Sequence, residues 1–290
     1  VLPYTAGPPR RHTLSFLFIR ELRVDSSPPP AAIKRLGQNF LIDPNIVRKI
    51  VALAELSPAD TVLEIGPGRG ILTEALCRAV GHVTAIEIDP RLYTFLSERA
   101  ERLPNVTLVL GDALTCPIEY LPIGTIVVAN LPYYISTPLL FRLLAQGNRF
   151  ARMVLMLQNE VADRLIAKPG TSDYGVLSVM AQYSAHISKA FKVSPQCFRP
   201  RPEVDSSVVL LRACEPRARR LEEEQRFTAL VRAAFAHRRK TLVNSLKNEG
   251  YDSRPVETAL TRLHLSPSLR AETLTLEQFL ELDHLMQELT

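Results

Sequence analysis

Nowhere in the sequence does an apolar run approach the ~20 residues that a membrane-spanning helix requires. The four cysteines, Cys77, Cys116, Cys197 and Cys214, stand far apart and form no CxxC pair. Neither a zinc site nor a disulfide framework is indicated, and a reduced cytosolic interior is the simplest reading. There is no internal repeat, and the one biased tract is N-terminal. What is present is the composition of a soluble globular protein, 46% hydrophobic and 22% charged over 290 residues. That length suffices for one large domain or for a large and a small one. A net charge of +5 is compatible with a polyanionic partner.

Residues 1–30 differ from the rest, with four arginines against Glu21 and Asp25 and a terminal run of three prolines. The apolar stretch Leu14 to Ile19 is short for a signal peptide, and no small-residue cleavage site follows it at once. This segment reads as a flexible extension, with an organelle-targeting segment as the alternative. The expected location is the cytoplasm, or an organelle in the second case.

From about residue 43 the pattern becomes regular. Asp43-Pro44 is an N-cap followed by proline at the first helical position, and Ile46, Val47, Ile50, Val51 and Leu53 form one apolar face. Strands expected at Thr61–Ile65, His82–Ile86, Val106–Leu110 and Thr125–Ala129 alternate with helices starting near Ile71 and Pro90. After Pro138 come another helix and the apolar run Met153 to Leu157. Such alternation implies an α/β fold: a parallel sheet covered on both faces, whose ligands collect outside the carboxyl ends of the strands. Beyond about residue 190 prolines interrupt the chain, a strand-like Ser206 to Leu211 follows, and helical periods run from Glu222 to the end. Residues 189–250 hold 14 Lys and Arg against 7 Asp and Glu, an excess larger than that of the whole chain.

The strand ends carry the chemistry. Glu64-Ile65-Gly66-Pro67-Gly68-Arg69-Gly70 closes the first strand with three glycines that admit a sharp turn and close approach of a ligand to the main chain. The spacing is GxGxG, not the GxGxxG of the dinucleotide fingerprint. Glu87 closes the second strand, where a carboxylate can accept both hydroxyls of a ribose. Asp112, after the third strand, can accept from an adenine amino group. Read singly, each is equally a tight turn, a helix cap or a solvated acid. As a series on three successive strand ends they outline an adenosine pocket, for a dinucleotide or for S-adenosylmethionine.

At this point the residues resemble the class I S-adenosylmethionine-dependent methyltransferases, which carry ExGxGxG, an acid after the second strand and GD-A after the third. The fourth strand ends in Asn130-Leu131-Pro132-Tyr133, which is similar to the NLPY form found in ribosomal RNA adenine dimethyltransferases. Lys34 to Leu41 resembles that family's opening segment, so the resemblance implies cofactor contacts for Gln38, Asn39 and Leu41 beside Gly66, Gly68, Gly70, Glu87, Asp112 and Asn130. Phe198 to Ser206 resembles its FxPxPxVxS signature, and Ala233 to Leu242 its basic C-terminal helix region. The implied fold is a Rossmann-like methyltransferase sheet over residues 31–212 with a smaller, mainly helical RNA-binding domain over 213–290. The implied activity is dimethylation of N6 on two adjacent adenosines near the 3′ end of small-subunit ribosomal RNA. S-adenosylmethionine would be the donor and no metal is needed; the partner is small-subunit RNA or its precursor particle, and nothing demands more than a monomer.

The acceptor, an exocyclic amine conjugated with its ring, is a weak nucleophile. Two hydrogen-bond acceptors aimed at its protons favour a pyramidal nitrogen whose lone pair points at the methyl group. Asn130 can supply one through its side-chain oxygen and Leu131 the other through its carbonyl. Pro132 fixes φ and brings no N–H, and Tyr133 offers a stacking face, which Phe198 could close from the opposite side. In isolation Asn-Leu-Pro-Tyr is an ordinary post-strand loop and Phe198 an ordinary core aromatic. Tyr134 has no assigned role, and Ser136-Thr137-Pro138 reads as the cap and first turn of the next helix. Arg238, Arg239, Lys240 and Lys247 are expected to meet RNA phosphates, with a solvated helix face as the bland alternative, and His237 reads as an exposed helix residue. Two other readings share the architecture: a 23S-type RNA dimethyltransferase, and a non-catalytic RNA-binding assembly or transcription factor.

Overall fold

The computed structural model describes residues 28–214 and 221–289, so positions 1–27 of the expected N-terminal extension lie outside the described residues. In chain order the elements are β1 (Phe40–Leu41), α1 (Pro44–Leu53), β2 (Thr61–Ile65), α2 (Ile71–Cys77), β3 (His82–Glu87), α3 (Pro90–Ala100), β4 (Val106–Leu110) and β5 (Thr125–Asn130). There follow α4 (Ser136–Leu144), β6 (Phe150–Gln158), α5 (Asn159–Leu165), α6 (Val176–Ser184), β7 (Ala185–Val193), β8 (Phe198–Arg199) and β9 (Ser206–Ala213). The last part holds α7 (Leu221–Phe235), α8 (Leu242–Asn248), α9 (Ser253–Arg262) and α10 (Leu276–Glu288).

The local signals act as expected at two helix starts. Asp43 and Asp89 each accept the backbone N–H two residues on, ahead of a proline at the first helical position. β2, β3 and β5 are nearly continuous buried apolar runs, as strands covered on both faces must be. They stand inside a seven-stranded sheet of order β4-β3-β2-β5-β6-β9-β7. The first five strands of that order run parallel, and β9 is antiparallel to both its neighbours. Sequence order reverses at β2, with β3 on one side and β5 on the other, and connections diverging in opposite directions leave a crevice at the carboxyl ends.

One face of the sheet is buried under α4, α5 and α6, with Leu139, Leu143, Leu165 and Leu177 in that layer. The other is buried under α1 and α2 through Ile50 and Leu76. A third core joins α7 to α10 through Phe227, Leu246, Leu260 and Phe279, and it also takes Tyr174, Val179, Met180 and Tyr183 from in and around α6. The expected boundary at 212/213 falls at the end of β9, but α6 serves both cores. Two features went unread in the sequence. β7 alternates between exposed and more buried positions throughout, a period-2 signal in plain view. β1 and β8 pair antiparallel across a separation that no local pattern reports. No helix among the described residues is long and apolar enough to cross a membrane.

Candidate active site

A cleft of about 660 Å³ opens at the carboxyl ends of β2, β3, β4 and β5. Its wall includes Gln38, Asn39, Gly66, Gly68, Glu87, Asp112, Asn130, Leu131, Pro132 and Tyr133, all of which the sequence placed at the site.

The glycine loop and the first acid hold each other. Gly68 has φ of +60°, and a Cβ there would come 3.0 Å from Cδ1 of Phe40, so the loop needs glycine for both backbone and space. Its N–H donates to Oε2 of Glu87 (3.1 Å), and the Asp89 N–H donates to Oε1 (3.0 Å). Glu87 is almost wholly buried, and that burial raises its pKa above the ordinary carboxylate value. Each of its oxygens retains a further lone pair for a donor in the cleft. Asp112 uses Oδ1 to accept from the Leu114 N–H (2.8 Å), and Arg142 of α4 donates to the carbonyls of Ala113 and Cys116, pinning the loop that carries it. Gly111 packs tightly there: a Cβ would lie 2.3 Å from Sγ of Cys116, which would have to move.

The Asn130–Tyr133 turn follows β5 directly. The Asn130 side-chain amide donates to the Asn39 carbonyl (3.1 Å), which orients Oδ1 as the acceptor end of the group. The Leu131 N–H donates to Met156 O (2.9 Å), and its side chain is buried, so its position is set from β6. The Pro132 carbonyl accepts from Ile135 N and Ser136 Oγ, leaving the Leu131 carbonyl to the cleft. Ser136 is thus the first residue of α4 and bonds backwards to the turn; the N-cap position is Ile135, and the expected Ser136 cap is corrected accordingly. Tyr133 donates to or accepts from Ser206 Oγ at 2.6 Å. Tyr134 also lines the cleft, packed so closely on Gly37 that a Cβ at Gly37 would lie 3.1 Å from its ring.

Residues 30–41 form a strap across the opening. Arg69 donates to Pro30 O (3.0 Å) and Arg91 to Ala31 O (3.2 Å). Gln38 accepts from Ile33 N (2.7 Å) and donates to Asp89 Oδ2 (3.0 Å). Asp89 is therefore more than a helix cap. Chiefly through Arg91, its carboxyl is held down to about 2.

Three expected site residues lie elsewhere. Phe198 is fully buried among the apolar side chains beneath the sheet and does not line the cleft. It faces Leu41 across the β1–β8 pair and supports the strap from behind, so it does not close over a base in this arrangement. Gly70 does not line the cleft either; a Cβ there would come 2.8 Å from Cδ2 of Leu96, so close packing of α3 demands the glycine. Leu41 is buried and borders a smaller chamber, which shares Phe40, Gly66, Gly68 and Asn130 with the cleft and ends on Glu64 and Arg69. Glu64, unassigned from sequence, is 1% exposed, and its Oε2 has no hydrogen-bond partner within normal distance among the described residues. Desolvation, aided by the nearby Glu87, pushes its pKa up to about 8.

The basic run Arg238-Arg239-Lys240 is exposed in the turn between α7 and α8, not on a helix face, and Lys247 is exposed on α8. Arg238 donates to Ser172 O and lies 3.9 Å from Glu272, so it ties the turn to the 168–173 loop. His237 sits in the same turn, half-buried, with Nε2 3.0 Å from Glu249 Oε1, which corrects its reading as an exposed helix residue.

Residues 31–288 match the family model for ribosomal RNA adenine dimethylase. The chain is 45% identical to a ribosomal RNA small subunit methyltransferase A of Moorella thermoacetica, over 88% of this chain and 92% of that one. It is 42% identical to the protein of the same name from Geobacter metallireducens, over 89% and 96%. Among solved structures it is similar to a dimethyladenosine transferase from Plasmodium falciparum (TM-score 0.72, 28% identity, 84% of this chain and 95% of that one). It is also similar to the 23S rRNA methyltransferase ErmE (TM-score 0.66, 30% identity, 86% and 100%).

Proposed function

The chain belongs to the ribosomal RNA adenine dimethylases, and from that premise we propose that it methylates N6 of adenosines in small-subunit ribosomal RNA to N6,N6-dimethyladenosine. S-adenosylmethionine is the donor. When bound, its sulfonium supplies an electrophilic methyl group.

The residues present fit that donor. Glu87 offers acceptor sites for ribose hydroxyls and Asp112 one for the adenine amine, both at the adenosine end of the cleft. The unpartnered oxygen of Glu64 would accept from the ammonium of the methionine part, and the missing Cβ of Gly68 makes room against Phe40. On the acceptor side Asn130 Oδ1 and the Leu131 carbonyl accept hydrogen bonds from N6–H, and Tyr133 provides the stacking face. The protein's contribution is alignment, which can supply several powers of ten in rate. The observation that carries this reading is the Asn130 amide, locked by the Asn39 carbonyl with its oxygen left for the cleft that Glu87 and Asp112 also face.

The target within the RNA is two adjacent adenosines near its 3′ end, at a late stage of subunit assembly. Identities of 45% and 42% to proteins named ribosomal RNA small subunit methyltransferase A support the small subunit. Arg239, Lys240 and Lys247 bind the phosphate backbone in this reading, which their exposure supports; such contacts recognise folded RNA by shape and leave the choice of base to the pocket. Unmethylated small-subunit particles and 23S RNA, each incubated with labelled S-adenosylmethionine, test the assignment. Label is expected in the small-subunit RNA as dimethyladenosine; label confined to 23S RNA would overturn it. Asn130→Ala should abolish transfer while donor binding persists, and loss of both together would make Asn130 a donor-binding or structural residue.

A further inference from the structure

Tyr133 lines the cleft, and its far end is tethered to another element. Its hydroxyl meets Oγ of Ser206 at 2.6 Å, a short O–H···O contact between residues 73 positions apart. Ser206 opens β9, is fully buried, and stands in register with Gln158 of β6 on one side and Val193 of β7 on the other. Its backbone is therefore held from both sides, and its oxygen has little freedom beyond one rotamer choice. The next residue serves a different partner: Ser207 Oγ donates to Asn159 Oδ1 (2.8 Å) at the start of α5, and Asn159 N donates to Asp205 O (2.9 Å). The beginning of β9 is thus anchored independently of the Ser206 hydroxyl. Among the described residues the Tyr133 hydroxyl is the hydrogen-bond partner of Ser206 Oγ.

A tyrosine ring attached to the main chain has two side-chain dihedrals. A bond at the phenolic end removes both freedoms together, fixing where the ring face lies relative to Asn130 and Leu131 on the same turn. We infer that Ser206 is a positioning residue for methyl transfer: through the Tyr133 hydroxyl it fixes the ring on which the target adenine stacks, so that N6 arrives between the Asn130 and Leu131 oxygens. This rests on the reading of Tyr133 as the stacking face. It also gives a function to the last residue of the Phe198–Ser206 signature, whose phenylalanine is packed in the core.

The test uses Ser206→Ala and Tyr133→Phe, each of which removes one end of the bond and keeps the strand and the aromatic face. On unmethylated small-subunit particles each is expected to lower kcat by about 10-fold, within the range that misplacement of reacting groups produces. KM for particle and donor should change less than twofold. The double variant should be no slower than either single one, because both remove the same bond. Wild-type kcat in Ser206→Ala, additive losses in the double variant, or a parallel loss of donor affinity would each overturn the assignment. Should Ser206→Ala lower the melting temperature markedly, Tyr133→Phe, altered only at the half-buried end, decides the matter by the same kcat criterion. If the wild-type protein transfers no methyl group to the particle, it is the functional reading that fails instead.

Discussion

Two buried acids stand side by side at the donor end of the cleft, and they differ in what satisfies them. Glu87 accepts two backbone N–H groups, whereas Glu64 has one oxygen without a hydrogen-bond partner among the described residues and is pushed up to about 8. A raised carboxylate pKa means that the native state holds its proton more tightly than the unfolded chain, so between the ordinary value of 4.5 and about 8 stability falls as pH rises. Glu64→Gln should therefore melt like the wild type at pH 4 and below, where both side chains are neutral, and at a higher temperature above pH 8. The same variant should bind S-adenosylmethionine more weakly above pH 8, where the wild-type carboxylate is ionised and can pair with the donor's ammonium. Melting curves across pH with and without the donor check both halves; an unchanged difference at every pH would remove Glu64 from the titration.

At the scale of elements, α6 joins the two parts of the chain. Leu177 and Ala181 face the sheet core, while Val179, Met180 and Tyr183 face the helical one, where Tyr183 stacks on Phe227 at 4.7 Å between centroids. Tyr183→Ala should lower stability by ~3 kcal/mol, the usual scale for truncating a buried aromatic. A single urea transition is expected, because one helix carries both cores; two separated transitions would show independent folding. Within the helical part, Arg226 of α7 donates three hydrogen bonds to the carboxylate of Asp283 of α10, at 2.9 to 3.2 Å, and Asp283 is buried. Asp283→Ala should cost about 2 kcal/mol, as charged hydrogen bonds with one buried partner do, read from the urea midpoint.

For the whole molecule the charge distribution sets the dependence on salt. Arg239, Lys240 and Lys247 are exposed, whereas Arg238 is tied to Ser172 and Glu272. Replacing the first three by Ala should weaken binding to the small-subunit particle and flatten its salt dependence by roughly 0.7 to 0.9 in log–log slope per lost phosphate contact. Donor affinity should be untouched, as none of the three lines the cleft. Arg238→Ala should act mainly through the tie, lowering stability with a smaller change in slope. Binding isotherms from low to high salt separate the two behaviours.

Sequence by itself determined the parts that local physics controls. Continuous apolar runs made β2 to β6, Asp-Pro pairs started α1 and α3, and glycine loop, Glu87, Asp112 and Asn130 stood at successive strand ends, which a doubly covered parallel sheet gathers at one edge. Only the tertiary structure decided which side chains at those ends face the cleft. Phe198 and Gly70 turned inward to packing, Glu64 was left buried beside the glycine loop, and Asn130 and Tyr133 found their partners 91 and 73 residues away. Such pairings depend on how strands distant in the chain lie in register, and no periodicity or motif within one segment encodes that. NLPY could therefore be read as an acceptor turn from its own residues, but what holds it in place, the Asn39 carbonyl on one side and Ser206 on the other, exists only once the sheet has formed.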